Sequence, residues 1–180
     1  AAVFYSISNC QQGLKGISFG NLLIKQVAKQ LSVELPHLTH FVTLSPIPRL
    51  NAWLADQLGD AYIGHVASAV LEGSAPSEDV RAMAARYLLD AKGGAGAPFD
   101  PVARFHLGNG AEVFDIHANA DSSDRGLAQS SGAMVNYLYD LAQVESNHEA
   151  FARNSKIAAS RQVKRLAKAA FKSKPMAVAS

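Results

Sequence analysis

A turn that joins a strand to a helix through Gly13, Gly16 and Gly20 constrains this chain most. The stretch Gln11 to Asn21 reads Gln-Gln-Gly-Leu-Lys-Gly-Ile-Ser-Phe-Gly-Asn. It follows the apolar run Ala2-Val3-Phe4-Tyr5-Ser6-Ile7 and leads into Leu22-Leu23-Ile24-Lys25-Gln26-Val27. The first run has strand composition and the second helical spacing, so the glycines sit at a β-to-α turn. Glycine there lets the backbone approach a ligand and aim its N–H groups at it. A helix N-terminus adds the positive end of a dipole, and the arrangement suits a phosphate. A tight turn that needs permissive residues accounts for the same glycines, because neither a Walker A nor a Gly-x-Gly-x-x-Gly pattern is present.

The helix is expected over about Ile17 to Leu31, with Leu23, Val27 and Leu31 on one stripe beside Ile24 and Ala28, and Pro36 prevents its continuation. Leu38 to Leu44 is rich in β-branched and aromatic residues and reads as a second strand, parallel to the first. In Ser45-Pro46-Ile47-Pro48 two prolines remove two backbone donors and end that strand. Ser45 therefore falls at a strand's C-terminal end, the edge where open α/β sheets bind ligands. A serine before proline is also ordinary turn chemistry.

The middle reads as helical. Leu50, Trp53, Leu54 and Leu58 form one stripe, Tyr62 to Leu71 a second, and Ser77 is expected to cap a third helix carrying Val80, Met83, Ala84, Tyr87 and Leu88. Gly93 to Pro98 makes a flexible connector, and residues 59–97 are expected to be a helical insertion within one domain spanning 1–180. Asp100 to Gly110 admits a hairpin turned by Asn109-Gly110. The preferred reading is a helix with Asp100 as N-cap, Pro101 at N1 and the Asn-Gly pair as its stop. His106 would lie on its last turn, where the negative dipole end favours the imidazolium form. A lone histidine is more often a satisfied structural residue.

Ala111 to Ile116 and Met134 to Leu141 are further strand candidates. In the second, Val135, Tyr137 and Tyr139 share a face, expected to be half-buried with the hydroxyls reaching a wet edge. Asn119 to Ser131 reads as a polar loop able to cover a site. Lys156 to Lys172 reads as an amphipathic helix, with Ala159, Val163, Leu166 and Ala170 opposed by Arg161, Lys164, Arg165, Lys168 and Lys172. The preferred reading of that basic face is a solvated surface; nucleic acid or acidic lipid, and an anionic nucleotide-like ligand drawn from a distance, are the alternatives.

Composition narrows the class. With 48% hydrophobic and 18% charged residues, 180 residues suffice for one globular domain with a core. A net charge of +2 is too small to imply nucleic acid as a partner. One cysteine, Cys10, excludes an internal disulfide and a Cys-based zinc site, and fits a reducing compartment, the cytoplasm. No apolar run approaches the roughly 18 residues of a membrane span. A strand that starts at Ala2, with no initiator Met, predicts that chain is missing upstream, through processing or truncation.

Several segments occur in a telling order: Phe4 to Ser8, Gln12-Gly13-Leu14, Gly16 to Asn21 with Leu23-Ile24-Lys25, Leu44-Ser45-Pro46-Ile47-Pro48, Pro101 to Leu107 with Asn109-Gly110-Ala111, and Met134 to Tyr139. With them the chain resembles the C-terminal catalytic portion of the malonyl-CoA decarboxylase family over nearly its whole length. The resemblance implies a GNAT-like α/β fold, a mixed sheet with flanking helices, here lacking its N-terminal strands and the family's N-terminal helical domain. It places the CoA pyrophosphate on Lys15, Gly16, Ile17, Ser18, Phe19, Gly20 and Asn21. It makes Ser45 and His106 the catalytic pair and puts Tyr139 in the same site. No metal or cofactor is implied, because the CoA thioester is itself the substrate, malonyl-CoA, and the full-length protein is expected to be a homo-oligomer.

His106 would donate the proton, through or beside Ser45, and Tyr139 would orient the carboxylate or the pair. A GNAT-like acyl-CoA transferase and a non-catalytic CoA-binding fragment are the alternatives. Three positions depart from the family. Ser18 stands where some relatives carry an acid, and His117-Ala118-Asn119 replaces most of an Asn-Trp-x-Ala-Asp pattern, leaving Ala120-Asp121. The C-terminus is not Ser-Lys-Leu.

Overall fold

The computed structural model describes residues 1–5 and 19–170. Its elements in order are β1 (Ala2–Phe4), α1 (Phe19–Glu34), β2 (Phe41–Thr43), β3 (Ser45–Pro46), α2 (Leu50–Asp56), α3 (Gly64–Leu71), α4 (Ser77–Asp90), α5 (Pro101–Gly108), β4 (Glu112–His117), α6 (Asp124–Ser130), β5 (Met134–Leu138), α7 (Val144–Asn154) and α8 (Arg161–Ala169). The mixed α/β class is as expected.

β5 is the spine of the sheet. β2 and β3 run antiparallel along one of its edges, with Val42 opposite Leu138 and Ser45 opposite Val135. β4 covers the other edge, with a register shift between Val113 and Asp115. β1 adds to β2 in parallel, as a strand–helix–strand unit requires. The strand expected over Leu38 to Leu44 is thus shorter, and the chain does not leave the sheet at Ser45. Pro46 has no N–H to give, yet a two-residue pairing with β5 survives beside it. At the break between β2 and β3, side chains replace ladder bonds. The Tyr137 N–H donates to Thr43 Oγ1 at 3.2 Å, and Asn136 Nδ2 donates to the Thr43 carbonyl at 2.6 Å.

The helices pack their apolar faces on this sheet and on one another. Among the α1 side chains described, from Leu23 onward, Ile24 and Ala28 are buried and Leu31 packs against the core, whereas Leu23 is exposed; the stripe is rotated from the one expected. α4 buries Val80, Met83, Ala84, Tyr87 and Leu88 as expected, but Pro76 takes the N-cap position and Ser77 is its first residue. α8 lies against α4 and β4 through Val163 and Ala167. It begins at Arg161, later than expected, because Ala159 first bridges to Val113 in extended conformation. The segment expected as a loop over Asn119 to Ser131 contains α6, whose N-cap Ser123 accepts from the Gly126 N–H.

Helix α5 is fixed at both ends by local chemistry. Asp100 Oδ1 accepts the N–H groups of Val102 and Ala103, both at 2.9 Å, while Pro101 occupies the first turn without a donor to waste. Burial raises the Asp100 pKa, opposed by these bonds and by the Tyr87 hydroxyl, which donates to Oδ2 at 3.2 Å. At the other end Ala111 N–H reaches the His106 carbonyl and Gly110 N–H that of Leu107, a Schellman closure with Gly110 at φ +82°. The helix reading of Asp100 to Gly110 is the correct one.

Candidate active site

β3 and α5 bring together two side chains 61 positions apart: Ser45 Oγ and His106 Nε2 lie 3.2 Å from one another. The other ring nitrogen, Nδ1, is 2.9 Å from the Tyr139 hydroxyl. Thr43 Oγ1 is 2.9 Å from Ser45 Oγ, two residues back on the same side of the strand. The His106 ring is stacked on that of Tyr137, with centroids 4.4 Å apart and planes 23° from parallel. The four polar groups form one chain, Thr43–Ser45–His106–Tyr139. Thr43 has no recognisable signal of its own beyond its i, i+2 spacing from Ser45.

Burial decides the charge of this group. His106 is 3% exposed and Ser45 5%. Desolvation lowers the His106 pKa to about 4, so the ring is neutral near pH 7. The expectation that the helix end would favour imidazolium is therefore corrected: loss of water outweighs a partial dipole charge. Tyr137 and Tyr139 are likewise buried through and through, not at a wet edge, because β5 has a strand on either side and α5 over its face. Burial raises the pKa of both.

A pH dependence of stability follows. An unfolded His106 takes a proton below about pH 6.5, whereas the folded one resists until about 4. Between these values the unfolded state binds more protons, so stability falls as pH falls. The loss from this residue alone reaches about 3 kcal/mol by pH 4. Urea unfolding at several pH values, with His106→Gln as comparison, should show a smaller loss in the variant over that window.

A cleft of about 480 Å³ borders the segments that carry the pair, though neither Ser45 nor His106 lines it. Leu44 and Pro46, the neighbours of Ser45 in the chain, line it, as does Val102, one turn before His106. Pro48 and Met134 make it mostly apolar, and Arg125 and Gln129 of α6 bring polar groups to its wall. Arg125 is exposed and makes no ion pair within 4 Å among the described residues, but its charge bears on Asp121, a carboxylate of the same wall. The polar character of Asn119 to Ser131 pointed to this wall, but not to a helix or to Arg125. Among the described residues no three His, Cys, Asp or Glu side chains converge as metal ligands. Of the residues expected to hold CoA, Lys15, Gly16, Ile17 and Ser18 lie outside the described residues; Phe19, Gly20 and Asn21 open α1. The Cys10 reading and the glycine turn also lie outside them.

Comparison with known proteins is consistent along the chain. The family model for the malonyl-CoA decarboxylase C-terminal domain matches residues 1–177. A mitochondrial malonyl-CoA decarboxylase of Rattus norvegicus is 37% identical over 197 residues, covering 91% of this chain and 40% of the relative. Crystal structures of malonyl-CoA decarboxylase from Rhodopseudomonas palustris (45% identity, TM-score 0.79) and Agrobacterium vitis (42%, TM-score 0.82) each cover 91% of this chain, and 41% and 44% of theirs. The chain thus spans about 40% of the length of the relatives it matches. A match over 1–177, with an α/β fold to go with it, means that the chain belongs to the malonyl-CoA decarboxylase C-terminal domain family.

Proposed function

We propose that the protein decarboxylates malonyl-CoA to acetyl-CoA and CO₂, with Ser45 and His106 at the reacting end of the substrate. The observation that carries this reading is the buried Ser45–His106–Tyr139 chain. Family membership supplies the substrate class.

When the bond to the carboxylate breaks, its electron pair moves into the thioester carbonyl, and an enolate forms as CO₂ leaves. No electron sink beyond the thioester is needed. The Ser45 hydroxyl donates to the developing oxyanion, and a donor so placed contributes about 3 kcal/mol. The enolate then collapses and takes a proton at the α-carbon from the Ser45–His106 pair, which solvent reloads. A ring with a pKa near 4 does this work as a neutral hydrogen-bond donor, not as imidazolium. The apolar lining from Leu44, Pro46, Pro48 and Met134 favours loss of the charged carboxylate over its retention. Tyr139 holds the ring in place through Nδ1.

CoA is assigned to Lys15, Gly16, Ile17, Ser18, Phe19, Gly20 and Asn21, with an anionic group of the substrate reaching Arg125. Arg125→Ala is expected to raise KM about tenfold with kcat little changed, the mark of uniform binding. The same proposal includes homo-oligomeric assembly of the longer protein and a reducing compartment, the cytoplasm; no helix among the described residues is long and apolar enough to cross a membrane. Incubating the native-length protein with malonyl-CoA alone tests the reaction. CO₂ and acetyl-CoA should appear in equal amounts without an amine acceptor. Malonyl transfer to an added amine, with no CO₂, would identify an acyltransferase instead.

A further inference from the structure

Thr43 is wholly buried at the end of β2, where the strand breaks before β3. Three bonds hold it there. Its carbonyl accepts from Asn136 Nδ2 at 2.6 Å, its Oγ1 accepts the Tyr137 N–H at 3.2 Å, and the same Oγ1 lies 2.9 Å from Ser45 Oγ. Asn136 and Tyr137 both belong to β5, so the hydroxyl is anchored to the centre of the sheet. Branching at Cβ restricts the side chain further. Nothing in the reaction above has used this group.

Proton counting settles the direction of the bond between the two hydroxyls. A hydroxyl has one proton to give and two lone pairs. The Tyr137 N–H can only donate, so it takes a lone pair of Thr43 Oγ1. Among the described residues the Thr43 proton then has one acceptor within hydrogen-bond distance, Ser45 Oγ. Were Ser45 the donor instead, the Thr43 proton would be buried with no acceptor, an arrangement that folded interiors penalise.

We propose that Thr43 is a positioning residue that donates to Ser45 Oγ and thereby keeps the serine proton for the reaction. With Thr43 donating from the sheet side, Ser45 cannot spend its own proton there. That proton is left for His106 Nε2, 3.2 Å away, or for the thioester oxygen, whichever ring nitrogen of His106 bears the imidazole proton. The same bond steadies the serine oxygen when its proton is handed on, because a donor aimed at an oxygen gains strength as negative charge develops there. Thr43 acts through Ser45 alone. The direction of the bond rests on the geometry; its effect on turnover rests on the proposed decarboxylase function.

Neutron diffraction from crystals of the native-length protein, exchanged into D₂O, reads the bond directly with no substrate present. The expected result is a deuterium on Thr43 Oγ1 aimed at Ser45 Oγ; a Ser45 deuterium aimed at Thr43 overturns the proposal. Kinetics supply the second reading. Thr43→Val keeps the branched shape without the hydroxyl, and should lower kcat about tenfold with KM within about twofold. Thr43→Ser keeps the hydroxyl without the methyl, and should retain kcat within about twofold of wild type even where its stability falls. Because Thr43→Val also takes the acceptor from the Tyr137 N–H, urea unfolding accompanies the kinetics and kcat is referred to folded protein. An unchanged kcat in Thr43→Val overturns the proposal, as does an equal loss in both variants, which would make packing the cause. If Thr43→Val does not fold, the neutron map and Thr43→Ser decide. A Thr43 deuterium aimed at Ser45 in a protein that releases no CO₂ would uphold the direction of the bond while removing the function proposed above.

Discussion

His106→Ala is expected to abolish most turnover of malonyl-CoA, lowering kcat about 10²–10⁴-fold, the usual worth of a positioned acid or base. The ring is the common neighbour of Ser45 and Tyr139, and it lies on the face of Tyr137. Its removal leaves the Ser45 hydroxyl with Thr43 alone and would take away the proposed proton path. Ser45→Ala should fall in the same range. The double variant should be little worse than either single one, since groups acting as a unit do not contribute additively. Binding of CoA itself should hardly change, because neither residue is placed at the pyrophosphate. Steady-state kinetics on the native-length variants, alongside circular dichroism to establish that they fold, provide the measurement. A kcat within tenfold of wild type for His106→Ala would exclude the ring from the chemistry.

What the sequence disclosed about this site depended on how local the governing chemistry is. Helix α5 was legible because Asp100-Pro101 and Asn109-Gly110 start and stop it within hydrogen-bond reach of the positions they cap. The parallel pairing of β1 and β2 was legible from strand–helix–strand order alone. The state of His106 was not, because its pKa is set by what lies over it, and no residue near it in the chain announces burial. The same holds for Tyr137 and Tyr139. Alternation puts both on one face, but only the pairing of β5 on both edges makes that face the interior.

Helix α7 illustrates a different blind spot. Val144–Asn154 buries Val144 and little else, so its sequence reads as surface chain. Its fold comes partly from tertiary bonds: Asn147 Nδ2 donates to the Gly110 carbonyl at 3.3 Å, and His148 Nδ1 lies 2.6 Å from that of Gly108. These bonds run to the end of α5 and stiffen the turn that carries Asn109. The union of Ser45 with His106 became readable only through the order of several family segments, since no physical rule links a Ser-Pro dipeptide to a histidine on a later helix.

The turn that closes α5 is where a single methyl group should do most harm. Gly110→Ala is expected to destabilise the protein by about 4 kcal/mol or more, beyond what ordinary point substitutions cost. Two effects combine. Gly110 has φ +82°, where alanine is strained by about 1–2 kcal/mol. The added Cβ would also overlap the Val144 carbonyl oxygen and lie 2.8 Å from its carbonyl carbon. Both are backbone atoms at the start of α7, so no rotamer change relieves the contact, and either α7 moves or the Schellman closure opens. Opening it releases the His106 carbonyl from Ala111 N–H. Gly73→Ala separates the two effects: its φ is +74°, but nothing lies within 4 Å of the new Cβ, so it bears the conformational strain alone. Urea unfolding of the two variants should therefore differ by about 2–3 kcal/mol or more, with Gly110→Ala the weaker. Equal midpoints would mean that α7 does not press on the turn, and that the geometry of His106 and Asn109 is set from the sheet side instead.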